Sequence, residues 1–137
     1  MSAILIGIFL VLHGLVHLLY FGQSSRYFEL QTGMVWPDGS WTFSRLFGDE
    51  MTRPMAGAAC GLAAAGFIIG GVGLLGGQVW WRPVAVSVAI FSSILYLLFW
   101  DGKMQELPNQ GAVGILINVI ILIAVFVLQW PNVQVSS

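Results

Sequence analysis

The sequence predicts an all-α fold, a bundle of four membrane-crossing helices with a long, partly structured interfacial loop between the first two. Two observations predict it. Of the 137 residues only 8% are charged and 58% are hydrophobic, whereas a soluble domain carries about 25% charged residues. The apolar residues also fall into four uncharged runs, 3–21, 55–75, 84–100 and 112–128. Each comes close to the roughly 20 residues that a helix rising about 1.5 Å per residue needs to cross a hydrocarbon core of about 30 Å. The whole chain is one integral membrane domain, and the bilayer is its first partner.

The first run lacks a basic leader and a small-residue cleavage site, so it reads as a retained helix and not as a signal peptide. Arg53-Pro54 precedes the second run and Arg82-Pro83 the third. Proline suits a first helical turn, where its missing N–H is no loss, and each arginine can snorkel to the headgroups. Between the second and third runs lie only Gly76, Gly77, Gln78 and Val79, followed by Trp80 and Trp81, an interfacial anchor. Trp100 and Trp130 sit at the matching ends of the third and fourth runs.

The loop over 22–53 is far longer than the usual bundle connection. It is rich in aromatics: Tyr27, Phe28, Trp36, Trp41, Phe43 and Phe47. Pro37-Asp38-Gly39 signals a turn. Ser40 can then cap a short amphipathic helix bearing Phe43, Leu46 and Phe47. Such a segment is either a membrane-surface anchor or a lid over a pocket. Arg26, Arg45, Arg53 and Lys103 flank one membrane face and Arg82 the other, so the positive-inside rule puts the first and third loops in the cytoplasm.

Glycines mark the helix contacts. Gly57 and Gly61, Gly66 and Gly70, and Gly73 and Gly77 repeat at four-residue spacing, and Gly114 lies one turn before Asn118. Small residues at that spacing let backbones approach. Gly7 and Gly14 stand one heptad apart in the first run.

The polar residues inside the runs carry the functional signal. His13 and His17 share a helical face, continued by Tyr20 and Ser24. By depth, His13, Cys60, Ser92, Ser93 and Asn118 fall in one layer, nearer the first and third loops. Intramembrane ionisable groups usually face a bundle interior or cavity. His13, His17, Tyr20, Ser92, Asn118 and Asp101 are therefore the candidate ligand-binding residues, with Asp101 reaching His17 across the bundle mouth. The competing reading is interhelical hydrogen-bond glue. No metal site and no catalytic residue is assigned: HExxH is not matched, and a third ligand is missing. Two histidines on one helical face cannot hold haem from opposite sides within one chain. A single cysteine excludes an intrachain disulfide. A net charge of −1 excludes nucleic acid as an obvious partner.

With HGLVHLLYFG closing the first run, TRPMAG opening the second and FWDGKMQELPNQGAVGILINVIIL joining the third to the fourth, the chain resembles the DoxX-like small four-helix membrane proteins. The resemblance implies a bacterial or archaeal cytoplasmic membrane and a link to quinone-dependent oxidation, but places no catalytic residue. Two functions follow as expectations. One is an accessory subunit, packing against a membrane protein partner or forming a homo-oligomer. The other is a binder of a small lipophilic molecule such as a quinone.

Overall fold

The computed structural model describes residues 1–104 and 110–132; Glu106 and Asn109 of the third loop lie outside them. The described residues are helical, without strands: α1 Ser2–Ser24, α2 Phe43–Phe47, α3 Asp49–Leu75, α4 Trp81–Leu98 and α5 Ala112–Leu122, which runs on as a π-helical segment Ile123–Val127. Three helices, α1, α3 and α4, are long and apolar enough to cross a membrane. The fourth apolar stretch is shorter, 11 α-helical residues continued by 5 π-helical ones. The core is mainly apolar, with Leu10, Phe67, Ala85, Tyr96 and Ile121 among its members, but it also takes in polar side chains and leaves large apolar ones outside. His13, His17, Ser92 and Asn118 are buried, while Ile4, Leu5, Ile8, Leu12, Leu15 and Leu19 line the outside of α1. An apolar exterior with the intramembrane polar groups turned inward suits hydrocarbon surroundings.

Helix α3 is the hub, and it carries two distinct small-residue faces. Toward the antiparallel α1 the contacts follow a heptad. A Cβ on Gly71 would lie 2.7 Å from the Gly7 carbonyl oxygen, one on Gly14 would lie 2.9 Å from the Ala64 oxygen, and one on Gly57 would lie 3.1 Å from Ser24 Oγ and 3.4 Å from Phe21. Residues 7, 14 and 21 thus meet 71, 64 and 57, the seven-residue repeat of a left-handed pair. Toward α4 the face is Gly66, Gly70 and Gly73. Their Cβ positions would meet Val88 at 2.6 Å, Ala85 at 3.5 Å and Trp80 at 2.6 Å. Gly114 does the same for α5, where a Cβ would come within 3.3 Å of Tyr96.

The expected four-residue stripe through Gly57 and Gly61 is corrected here. A Cβ on Gly61 would meet nothing within 4 Å, because one turn beyond Gly57 rotates away from the heptad seam. The start of the second span is corrected as well. Helix α3 begins at Asp49, so Pro54 lies inside it, past the first turn. Arg53 at that point pairs within the chain: its Nε and Nη2 donate to the two Asp38 carboxylate oxygens at 2.8 and 2.5 Å. In contrast, α4 begins at Trp81 with Pro83 in its first turn.

The long loop folds back onto the end of the bundle. Gln23, fully buried, gives Nε2 to the Met34 carbonyl at 3.0 Å and accepts the Leu30 N–H on Oε1 at 2.8 Å. Arg26 donates to the Val35 and Trp36 carbonyls and pairs with Asp38. These bonds drive Trp36, 1% exposed, into the bundle end against Tyr20, Tyr96 and Phe99. The Ser-Trp-Thr step that follows caps α4. Ser40 Oγ and Thr42 Oγ1 both donate to the Leu98 carbonyl, at 2.6 and 2.7 Å, and Trp41 Nε1 donates to the Leu97 carbonyl at 2.7 Å. The last turn of a helix leaves such carbonyls unpaired, and here the loop supplies their donors. Ser40 thus serves mainly the C-terminus of α4, with only a 3.3 Å contact to Phe43 N of the helix that it was expected to start.

Candidate functional site

The polar layer is a closed hydrogen-bond circuit across α1, α4 and α5. His17 Nδ1 lies 2.9 Å from the His13 carbonyl oxygen. A carbonyl only accepts, so Nδ1 carries the proton in the neutral ring and Nε2 is the acceptor. Ser92 Oγ lies 2.6 Å from that Nε2 and must donate to it. Ser92 Oγ in turn accepts from Asn118 Nδ2 at 2.9 Å. Asn118 Oδ1 is left facing His13 Nε2 at 2.9 Å, so His13 carries its proton on Nε2. Donor and acceptor roles leave one assignment: His13 to Asn118, Asn118 to Ser92, Ser92 to His17, and His17 back to the His13 backbone.

Local sequence explains the placement. The four-residue spacing of the histidines stacks them on one face of α1, and His17 then reaches back to the carbonyl one turn earlier. Gly14 between them keeps α1 close to α3, which brings Phe67 against both rings, at centroid distances of 4.6 and 5.1 Å. Phe9 stacks parallel to His13 at 6.0 Å, and Tyr96 meets His17 at 5.6 Å. The imidazoles are 5.0 Å apart and edge to face, which leaves no room for a macrocycle between them. Among the described residues no three His, Cys, Asp or Glu side chains gather.

Of the candidate residues, the fold brings His13, His17, Ser92 and Asn118 together. Tyr20 joins through its ring, 5.1 Å from both Trp36 and Tyr96. Asp101 is not brought in: its Oδ1 accepts the Lys103 N–H at 2.8 Å, and its own N–H goes to Gln110 Oε1 at 3.0 Å. Turned toward its own loop, it makes no bond to His17. Ser93, adjacent to Ser92, is likewise outside the circuit, since it donates to the Ala89 carbonyl of its own helix. Cys60 is buried and free. Compared with known proteins, the chain matches no family model, no curated protein and no solved structure.

Phe67, Tyr96, Trp36 and Gln23 complete the site, and sequence reasoning singles out none of them for it. Phe67 and Tyr96 are aromatics within apolar runs, without a local mark. Gln23 carried a signal: it lies within one turn of Tyr20, on an extension of α1 to Ser24 that apolarity alone ends at residue 21. Four grooves among the described residues are lined by none of His13, His17, Ser92 and Asn118. One of them, between α1 and α5 and lined by Phe9, Leu10, Ile120, Ile121 and Trp130 among others, has a volume of about 90 Å³. Chemically, the circuit joins three helices through neutral groups that satisfy one another.

Proposed function

We propose that this chain is a four-span, DoxX-like integral membrane protein acting as an accessory subunit that packs laterally against a larger membrane protein. In this reading α5 and its π-helical extension form a short fourth crossing. The first and third loops, with Arg26, Arg45, Arg53 and Lys103, face the cytoplasm of a bacterial or archaeal cell. One observation carries the proposal: the buried polar groups hydrogen-bond to one another inside the bundle. His13, His17, Ser92 and Asn118 are paired with one another and enclosed by Phe67, Tyr96 and Trp36. Around them, α1, α3 and α4 expose large apolar side chains such as Leu12, Leu62 and Ile94, a surface suited to lateral packing.

The quinone-binding alternative draws less support. Grooves of ligand size, about 470 and 400 Å³, run along α4 and are lined by none of His13, His17, Ser92 and Asn118. A headgroup would also compete with the circuit for the His13 and Ser92 donors. Purification in a gentle detergent, with mass measurement of the intact particle and lipid extraction, tests the proposal. A stoichiometric larger membrane partner is the expected result. A lone chain or small oligomer carrying one isoprenoid quinone per copy would overturn it in favour of the alternative.

A further inference from the structure

Arg82, at the start of α4, has no anionic partner among the described residues. Its Nη2 donates to the Gln129 and Pro131 carbonyls at 2.9 and 3.1 Å, and its guanidinium lies 5.2 Å from the centre of the Trp81 ring. None of these is an anion. Its Nε is buried without an acceptor among the described residues. The two other arginines with ion pairs, Arg26 and Arg53, share Asp38 at the far end of the bundle.

Two apolar grooves diverge from this arginine on either side of α4. One, of about 470 Å³, follows the α3–α4 seam past Pro83, Ser87, Gly66 and Phe91. The other begins at Arg82, Pro83 and Ser87 with about 400 Å³. It continues down the seam between α4 and α5 past Val86, Ile90 and Phe126 with about 280 Å³ more. Pro83 and Ser87 line both grooves at the fork. From Arg82 to Phe91 a helix descends about 14 Å, roughly half of a 30 Å hydrocarbon core and hence one leaflet.

We propose that Arg82 heads a phospholipid site, with the phosphodiester on the guanidinium and one acyl chain in each groove beside α4. A guanidinium binds phosphate oxygens through charge-assisted bonds, and a forked apolar channel fits a molecule with two tails better than one with a single tail. The inference rests on the membrane-spanning reading and is independent of the accessory role.

The test is native mass spectrometry of the delipidated full chain in detergent with three probes: dioleoyl phosphatidylglycerol, its single-chain lyso form, and dioleoylglycerol, which lacks phosphate. One phosphatidylglycerol per chain should survive. Retention should fall about fivefold to tenfold for the lyso form, for dioleoylglycerol and for Arg82→Gln. Arg82→Lys should lie between Arg82→Gln and the parent. Ser87→Phe, an exposed position that fills the fork, should weaken retention with Arg82 intact, which covers the case in which Arg82→Gln disturbs the chain terminus. Equal retention of phosphatidylglycerol by both variants, or of dioleoylglycerol by the parent, would overturn the site alone. Release of the protein from membranes by alkaline carbonate would overturn the membrane reading with it.

Discussion

Ser92 Oγ donates to His17 Nε2 over 2.6 Å and accepts from Asn118 Nδ2 at 2.9 Å, so one hydroxyl ties α1 to α5 through α4. Ser92→Ala should therefore orphan two buried partners at once. The expected cost is about 1–2 kcal/mol, measured by denaturant titration in micelles. Nitrogen-15 NMR checks the assignment directly: His17 should be protonated on Nδ1 and bare on Nε2, with His13 protonated on Nε2. Both rings protonated on the same nitrogen would break the circuit as described.

The two glycine faces of α3 make opposite demands on a methyl group. Gly71→Ala places Cβ 2.7 Å from the Gly7 carbonyl oxygen, a backbone atom that yields only if the helices separate. A loss of about 1–3 kcal/mol is expected. Gly61→Ala meets nothing and should be neutral or stabilise by up to about 1 kcal/mol, from helix propensity alone. Thermal unfolding of the two variants side by side decides; equal effects would mean that the α1–α3 register is different.

Trp36 is the residue by which the long loop closes the bundle end. Trp36→Ala removes the ring packed on Tyr20, Tyr96 and Phe99 and should cost about 3–5 kcal/mol. It should also open 25–42 to proteases. A loop that stays resistant in the variant would show that the Ser40, Trp41 and Thr42 caps on α4 hold it without the tryptophan.

Asp38 receives both Arg26 and Arg53, yet the two arginine side chains are about one-third exposed, 32% and 36%. Solvent screens such pairs. Asp38→Asn should cost about 1 kcal/mol or less, and the difference should shrink in high salt. Unfolding midpoints at low and high ionic strength measure it.

Much of this molecule could be read from its residues in order. Uncharged apolar runs mark α1, α3 and α4, because a crossing length and the cost of buried charge are properties of a segment. The level shared by His13, Ser92 and Asn118 is equally visible, since depth follows from counting residues from a helix end. Rotation and register are not segment properties. Whether Ser92 or its neighbour Ser93 enters the circuit depends on how α4 turns against α1. Which glycines pack depends on the heptad seam of α1 on α3, so Gly71 matters and Gly61 does not.

The long loop shows the same division. Its aromatic content and its Pro-Asp-Gly turn announce a structured segment at the membrane surface. That Ser40 and Thr42 cap α4, from nearly sixty residues away in sequence, is settled only when chain closure brings them to the Leu98 carbonyl. By itself the sequence determined what each segment is and how deep its polar atoms lie. The tertiary structure alone decided which atoms meet across helices, because the His13–Asn118, Asn118–Ser92 and Ser92–His17 bonds each need two partners within about 3 Å and no single helix contains both.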